Sequence, residues 1–420
     1  MAIIGDDYEP AKRRYAAVGV DTDRAIAALK DVALSIHCWQ GDDVGGFEHE
    51  GSVLAGGGIQ VTGNYPGKAR SVGELRDDLR KMYSLLPGKH RLNLHASYGE
   101  FGGKSVDRNQ IEPRHFEGWV AWARSEGIKL DFNSTCFSHP KANDGFTLSS
   151  KDPATRGFWI EHVKRAREIS AYIGEALESP CIHDIWLPDG MKDYPVDRMG
   201  LRRILADALD EALARKYPQA QMKDAVESKL FGIGSEAFVV GSHEFYLGYA
   251  LSRGTMICID TGHFHPTELV ADKLSALLLF VKELLLHVSR PMRWDSDHVV
   301  VLNDDIRALG EEIVRSGRIA DIHIGLDFFD ATVNRLGAWA IGARSMLKGL
   351  LSALLEPQES LLDYEEKGDY FGRLALLEEV KTLPLGSVWD YYCRSAGVPT
   401  DRELAGTVHD YEQKVTLKRR

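Results

Sequence analysis

Eight short, apolar, β-prone runs recur along the chain, each followed by a polar or glycine-rich loop and a helical stretch. They are Ala33–Cys38, Arg91–Ala96, Lys129–Asn133, Cys181–Leu187, Asp224–Lys229, Met256–Asp260, Leu284–Val288 and Asp321–Phe328. Between them lie segments with helical spacing, among them Glu74–Leu86, Phe116–Glu126, Phe158–Leu177 and Leu201–Tyr217. A helical crossover returns the chain to the same end of a sheet, so such strands pair in parallel, and eight is the number that closes a TIM barrel. The expected fold is therefore α/β, a (β/α)8 barrel, with a doubly wound open sheet as the alternative. Residues 1–30 form an N-terminal helical segment, residues 31–356 the catalytic barrel with a final apolar helix at Asn334–Leu355, and residues 357–420 a charged C-terminal helical extension. The extension suits an oligomer contact. The glycine-rich stretch Gly41–Gly67 is too long for an ordinary βα connection and is expected to cover the active site or a neighbouring subunit.

Charge and composition exclude several classes. A net charge of −11 argues against nucleic acid, whose phosphates demand clustered Lys and Arg. The start of the sequence has no basic stretch followed by an apolar run, and the apolar segment Leu274–Val288 is short and interrupted by Lys282 and Glu283. No membrane partner and a cytoplasmic location are expected. The five cysteines are scattered and contain no C-x-x-C pair, so neither a zinc ribbon nor a disulfide framework is expected. Gly63–Ala69 fails as a phosphate loop because no Ser or Thr follows Lys68, and neither H-E-x-x-H nor G-x-S-x-G occurs.

The informative residues sit where the last four strands end. The fifth ends in Glu227-Ser228-Lys229, the sixth in Asp260-Thr261-Gly262-His263, the seventh carries His287 before Asp295-Ser296-Asp297, and the eighth carries Asp327. A lone Asp at a strand end is more often a turn former, and a lone His on an apolar strand is more often a hydrogen-bonded core residue. Four consecutive strands delivering carboxylates and imidazoles inside apolar runs are harder to dismiss, because burial demands a partner for each. Mixed oxygen and nitrogen donors suit Mn²⁺, Mg²⁺ or Co²⁺, with Zn²⁺ also possible. Two groups separate. Glu227, Asp260, His287 and Asp327 would hold one ion, and His263, Asp295 and Asp297 a second, more exposed one.

At these residues the chain resembles the bacterial L-rhamnose isomerases. The likeness runs through His37–Asp43, Gly63–Lys68, Arg91–Ala96, Cys136–Pro140, Trp186–Lys192, Val226–Gly234, Asp260–Glu268 and Leu286–Val299, and departs at Ser97–Phe101 and both termini. The order of ligands is also similar to the wider xylose-isomerase-type barrels. The resemblance implies aldose–ketose isomerisation of L-rhamnose to L-rhamnulose, two divalent ions, commonly Mn²⁺, and a homotetramer. It makes Glu227, Asp260, His287 and Asp327 the ligands of a structural metal and His263, Asp295 and Asp297 those of a catalytic one.

For the chemistry, His95 is the candidate for the ring-oxygen and anomeric protons. A hydroxide near Asp327 or Asp297 would take the O2 proton while hydride passes from C2 to C1, and Lys229 would polarise O1. Trp186, Phe132, Phe264 and Phe329 are candidates for an apolar wall against the sugar's methyl group. An enediol route is the mechanistic rival. A metal-dependent hydrolase or phosphodiesterase, and a non-catalytic sugar-binding protein, are the functional ones.

Overall fold

The computed structural model describes residues 7–41, 44–48, 65–230, 237–292 and 296–419. Eight parallel strands close into a barrel in sequence order: β1 Leu34–His37, β2 Arg91–His95, β3 Lys129–Asn133, β4 Cys181–Trp186, β5 Met222–Glu227, β6 Met256–Asp260, β7 Leu284–Val288 and β8 Ile322–Leu326. Closure is made by β1 against β8, with Leu34 opposite Ile324 and Ser35 opposite Gly325. The open-sheet alternative is thereby excluded. A two-residue antiparallel pair, Gly190–Met191 with Phe238–Val239, lies outside the barrel.

The strand bounds differ from the sequence expectation in instructive ways. β5 begins at Met222, because Met222 pairs with Cys181 at the start of β4, and it ends at Glu227. Beyond that point the Lys229 amide turns away to the Gly241 carbonyl. β8 stops at Leu326, and Asp327 continues onto the Val288 carbonyl without pairing further. The expected helices form with small shifts at their ends, as Val72–Tyr83, Glu117–Glu126, Pro153–Leu177 and Arg198–Ala212. The third of these opens with Asp152 accepting from the Ala154 and Thr155 amides and Pro153 in the first turn, where its missing N–H costs nothing.

Side chains alternate across each strand. One set, including Ile36, Leu94, Phe132, Val226, Ile259 and Leu286, belongs to the main buried core. The other set faces the lumen, where Ile182, Ala225, Met256, Cys258 and Leu285 form a separate apolar cluster. The N-terminal helix Tyr8–Ala17 is tied to the tail by Tyr8 stacked on Tyr391, ring centroids 3.7 Å apart. Within the tail, Trp389 and Tyr392 are part of the main core, and Arg419 pairs with buried Asp78 at 2.6 Å. The helix Tyr370–Val380 buries none of its residues, and Leu362, Tyr370, Phe371 and Leu374 stand exposed. Among the described residues no helix is long and apolar enough to cross a membrane.

Candidate metal centre

The C-terminal ends of β5 to β8 converge as the alternation requires. Glu227, Asp260, His287 and Asp327 each offer a ligand atom, all within 4.8 Å of one another. His287 Nδ1 stands 2.9 Å from Glu227 Oε2 and 3.6 Å from Asp327 Oδ2, and makes no hydrogen bond to either. His263 Nδ1 lies 3.2 Å from Glu227 Oε1. Gly262 leaves room here: a Cβ would sit 2.8 Å from Ser289 Oγ, 2.9 Å from Asp297 Oδ1 and 3.1 Å from Asp260 Oδ1, and would crowd the two carboxylates. Asp297 itself adopts a left-handed backbone, φ 38°, and its carbonyl accepts from the Phe329 amide.

The electrostatics are those of uncompensated negative charge. Burial, and then repulsion from Asp260 and Asp327, pushes the Glu227 carboxyl well above its usual range. Asp260 is raised by burial and by Asp297, and Asp327 by burial, against the attraction of His287. Burial alone would lower His287, yet Asp327, Asp184, Asp260 and Asp297 together hold it above an ordinary imidazole. Among the described residues, Glu227 Oε1 and Asp260 Oδ2 are sealed from solvent with no hydrogen-bond donor. Buried acceptors in this state are costly, and a divalent cation with a preference for oxygen and imidazole removes the cost. The donor set fits such an ion.

A cavity above the cluster is lined by His95, Trp186, His263, Asp297, Asp327 and Phe329, together with Asn133, Phe137 and Glu227. His95 meets the edges of Trp39 and Phe137, with centroids 4.7 and 5.9 Å away. Burial, then the charge of Arg108, drives its pKa well below that of free imidazole, so the ring is neutral at pH 7. Phe329 stacks on Trp39, centroids 4.7 Å and planes 5° apart, and Trp186 stands edge-on to Phe137.

Not every expected residue arrives here. Lys229 is buried and donates Nζ to the Pro188 carbonyl at 2.8 Å, outside the cavity lining. Phe132 points to the helix layer and meets Phe116 edge-on at 5.0 Å. Phe264 lies beyond the strand end, against His243 and under Lys273 Nζ, bordering a different cavity. Asp295 and most of the loop Gly41–Gly67 lie outside the described residues. Two neighbours of the cluster escaped the sequence reading. Asp184, on β4, is raised by burial and by Glu227, and accepts from Asn133 Nδ2 at 2.8 Å. Cys258, two residues before Asp260 on the same face, brings its sulfur within 4.8 Å of ligand atoms of Glu227 and His287. The signal for both was present: a polar residue on the lumen parity of an apolar strand.

Fold and cluster together define a barrel protein equipped to hold a divalent metal at the C-terminal mouth of its strands. The profile of the L-rhamnose isomerase (RhaA) family matches residues 2–419. The L-rhamnose isomerase of Rhodopirellula baltica is 56% identical over 412 residues, covering 98% of this chain and 96% of that protein. The L-rhamnose isomerase of Yersinia pseudotuberculosis is likewise 56% identical, with 98% of each chain covered. The chain belongs to the L-rhamnose isomerase family. Among solved structures, an L-ribulose 3-epimerase covers 77% of this chain and 96% of its own, at 12% identity and a TM-score of 0.47.

Proposed function

We propose that this protein is a cytoplasmic, divalent-metal-dependent aldose–ketose isomerase that converts L-rhamnose to L-rhamnulose, the first step of rhamnose catabolism. The observation that carries the reading is the uncompensated cluster Glu227, Asp260, His287 and Asp327 at the ends of four consecutive strands, in a chain of this family. These four would hold one ion, and His263, Asp297 and Asp295 a second; Mn²⁺ suits both donor sets. When bound, the ions supply Lewis acidity towards adjacent sugar oxygens.

The remaining work falls to the chain itself. His95, neutral and lining the cavity, would accept the anomeric proton and return one to the ring oxygen during opening. Asp327 and Asp297 line the same cavity, where they would help remove the O2 proton before hydride passes from C2 to C1. Trp186, Phe137 and Phe329 offer an apolar wall to the C6 methyl and exclude water from the open-chain sugar. Lys229 holds the turn after Trp186 through the Pro188 carbonyl, and Nζ lies outside the cavity lining where O1 would sit. The exposed apolar residues Leu362, Tyr370, Phe371 and Leu374 support the tail as a contact in a homotetramer, which light scattering would count.

The test is conversion of L-rhamnose to a ketose by chelator-stripped protein, before and after re-supply of Mn²⁺. Loss and recovery are expected; no ketose with metal demonstrably bound would overturn the assignment. Run in deuterated water, hydride shift leaves C1 of the product largely unlabelled, whereas solvent label at C1 in high yield would replace it by an enediol route.

A further inference from the structure

The lumen is not filled from end to end. Barrel interiors are ordinarily packed in layers of side chains. Here the apolar cluster fills one side only, and the other side is a cavity of ≈ 270 Å³ at the N-terminal end of the strands, room for several waters at ~30 Å³ each. Its mouth is formed by small or polar exposed residues, Asp31, Ala33 and Ala320. Its wall mixes the polar groups of Ser35, Asn93 and the Arg91–Asp131 pair with the apolar side chains of Ile182, Leu285 and Ile322.

The chamber and the upper cavity occupy successive layers of the same strands. Asn93, Asp131, Asp184 and Gly325 line the lower one, and the residues two further along, His95, Asn133, Trp186 and Asp327, line the upper. One layer of side chains divides them, and His287 belongs to it. Its Nδ1 faces Glu227 and Asp327 above, while the ring also lines the chamber below. The Cδ2–Nε2 edge lies over Gly325, where a Cβ would sit 3.0 Å from Cδ2 and 3.4 Å from Nε2. No hydrogen bond to a described residue holds Nε2. An imidazole that ligates through Nδ1 carries its proton on Nε2, and such a proton requires an acceptor, which sets the tautomer and the ring's orientation.

We propose that the chamber is a hydrated space behind the metal centre, open to solvent from the rear. Its water accepts the Nε2–H of His287, fixes the tautomer that presents Nδ1 to the ion, and stays in exchange with bulk solvent while sugar covers the upper mouth. The inference rests on the metal reading given above, and makes the solvent in this chamber a positioning element for His287.

A pair of variants separates filling from loss of a hydrogen bond. Ser35→Ala removes the 2.6 Å bond from Ser35 Oγ to Asp131 and leaves the space open, whereas Ser35→Leu removes the same bond and puts an apolar group beside Gly325. Calorimetric titration with Mn²⁺ should show Ser35→Leu binding about 10- to 100-fold more weakly than Ser35→Ala, the cost of losing an outer partner of a ligand imidazole. Equal affinities in two variants with wild-type circular dichroism would overturn the proposal. Failure of the wild type itself to bind Mn²⁺ would instead remove the metal reading. Should Ser35→Leu not fold, Ser35→Cys decides. Peptide mapping after methanethiosulfonate treatment of the holoenzyme should find Cys at position 35 labelled equally with and without saturating L-rhamnose, and protected when Ala320→Trp is added. No label, or label only without sugar, would rule out a rear chamber in exchange with solvent.

Discussion

The two ends of the barrel treat their carboxylates in opposite ways. At the start of the strands, Asp131 receives a two-pronged guanidinium from Arg91, with Nη2 2.7 Å and Nε 2.8 Å away, and Glu283 is held by His323 and Lys223. Burial raises Asp131, but the Arg91 charge overrides it and the carboxyl ends below its usual range. Hydrogen bonds from His323 and Lys223 bring Glu283 down to about 2. At the other end Glu227, Asp260 and Asp327 crowd around one imidazole and rise well above their usual range. Protein charges close the electrostatics of the first end. Those of the second are left for a cation to close, which is how a stable fold carries a destabilised site.

The largest effect should come from removing a ligand at the open end. Asp260→Ala is expected to lower isomerase activity at saturating Mn²⁺ by about 10³-fold, roughly the 4 kcal/mol within reach of a Lewis acid. The metal-free variant should meanwhile melt higher than metal-free wild type, because one repelling carboxylate is gone. A lower melting temperature in the metal-free variant would mean that the cluster is already compensated. At the closed end the pattern reverses. Arg91→Met strands the buried Asp131 carboxylate and should cost about 3–5 kcal/mol of stability, with metal affinity little changed. Chemical denaturation and titration calorimetry on the same samples read both quantities.

The closed barrel was legible because eight strand-and-helix units leave little choice of topology, and the strand ends then fall on one rim. Lumen parity explains which site residues were legible. On β2 the lumen set is Arg91, Asn93 and His95, and on β3 it is Asp131 and Asn133, so His95 reaches the cavity while Phe132, one residue out of phase, faces the helices. Aromatic character suggested Phe132; alternation rules against it. Phe264 and Lys229 lie past the ends of their strands, where the two-residue period no longer fixes direction and local hydrogen bonds decide. Asp184 satisfies the same rule one strand before the four whose ends carry the sequence signal. The rear chamber has no signature in sequence, since it depends on small Ser35 and Gly325 lying side by side on neighbouring strands, which only the closed barrel brings together.

The pH dependence of stability gives the comparison a sign. Carboxyls raised in the folded protein bind protons more tightly there than when unfolded. Their contribution is therefore fullest below the usual carboxylate range near ~4 and is lost as pH rises towards the folded values. Glu283 behaves oppositely: its contribution is present above the usual range and is lost as pH falls towards about 2. Metal-free protein should accordingly lose stability as pH is raised from about 4, while Mn²⁺, which competes with protons for the same oxygens, restores more at pH 8 than at pH 5. Thermal melts with and without Mn²⁺ across that interval test it. A metal-induced rise in melting temperature that is constant with pH would place the bound ion away from these three carboxylates.

The smallest expected effect concerns the aromatic residues, and it tests whether the open end is also the substrate's end. Phe329 lines the upper cavity and is braced flat on Trp39, so Phe329→Leu removes a stacked face from the apolar wall. That contact is worth about 0.5–1.5 kcal/mol, or an increase in KM of about two- to tenfold with metal affinity unchanged. Phe264, whose ring is taken up by His243 and Lys273 in a separate cavity, should give no change in KM when replaced by Leu. Phe132→Leu should cost about 1 kcal/mol of stability and leave KM alone, because its ring belongs to the core between strand and helix. Steady-state kinetics on the three variants side by side, with L-mannose (which has a hydroxyl on C6) as the second substrate, locate the methyl group. If Phe329 forms the wall, its replacement penalises L-rhamnose more than the hydroxylated sugar; if Phe264→Leu does so instead, the sugar extends out past the end of β6 and the wall must be redrawn there.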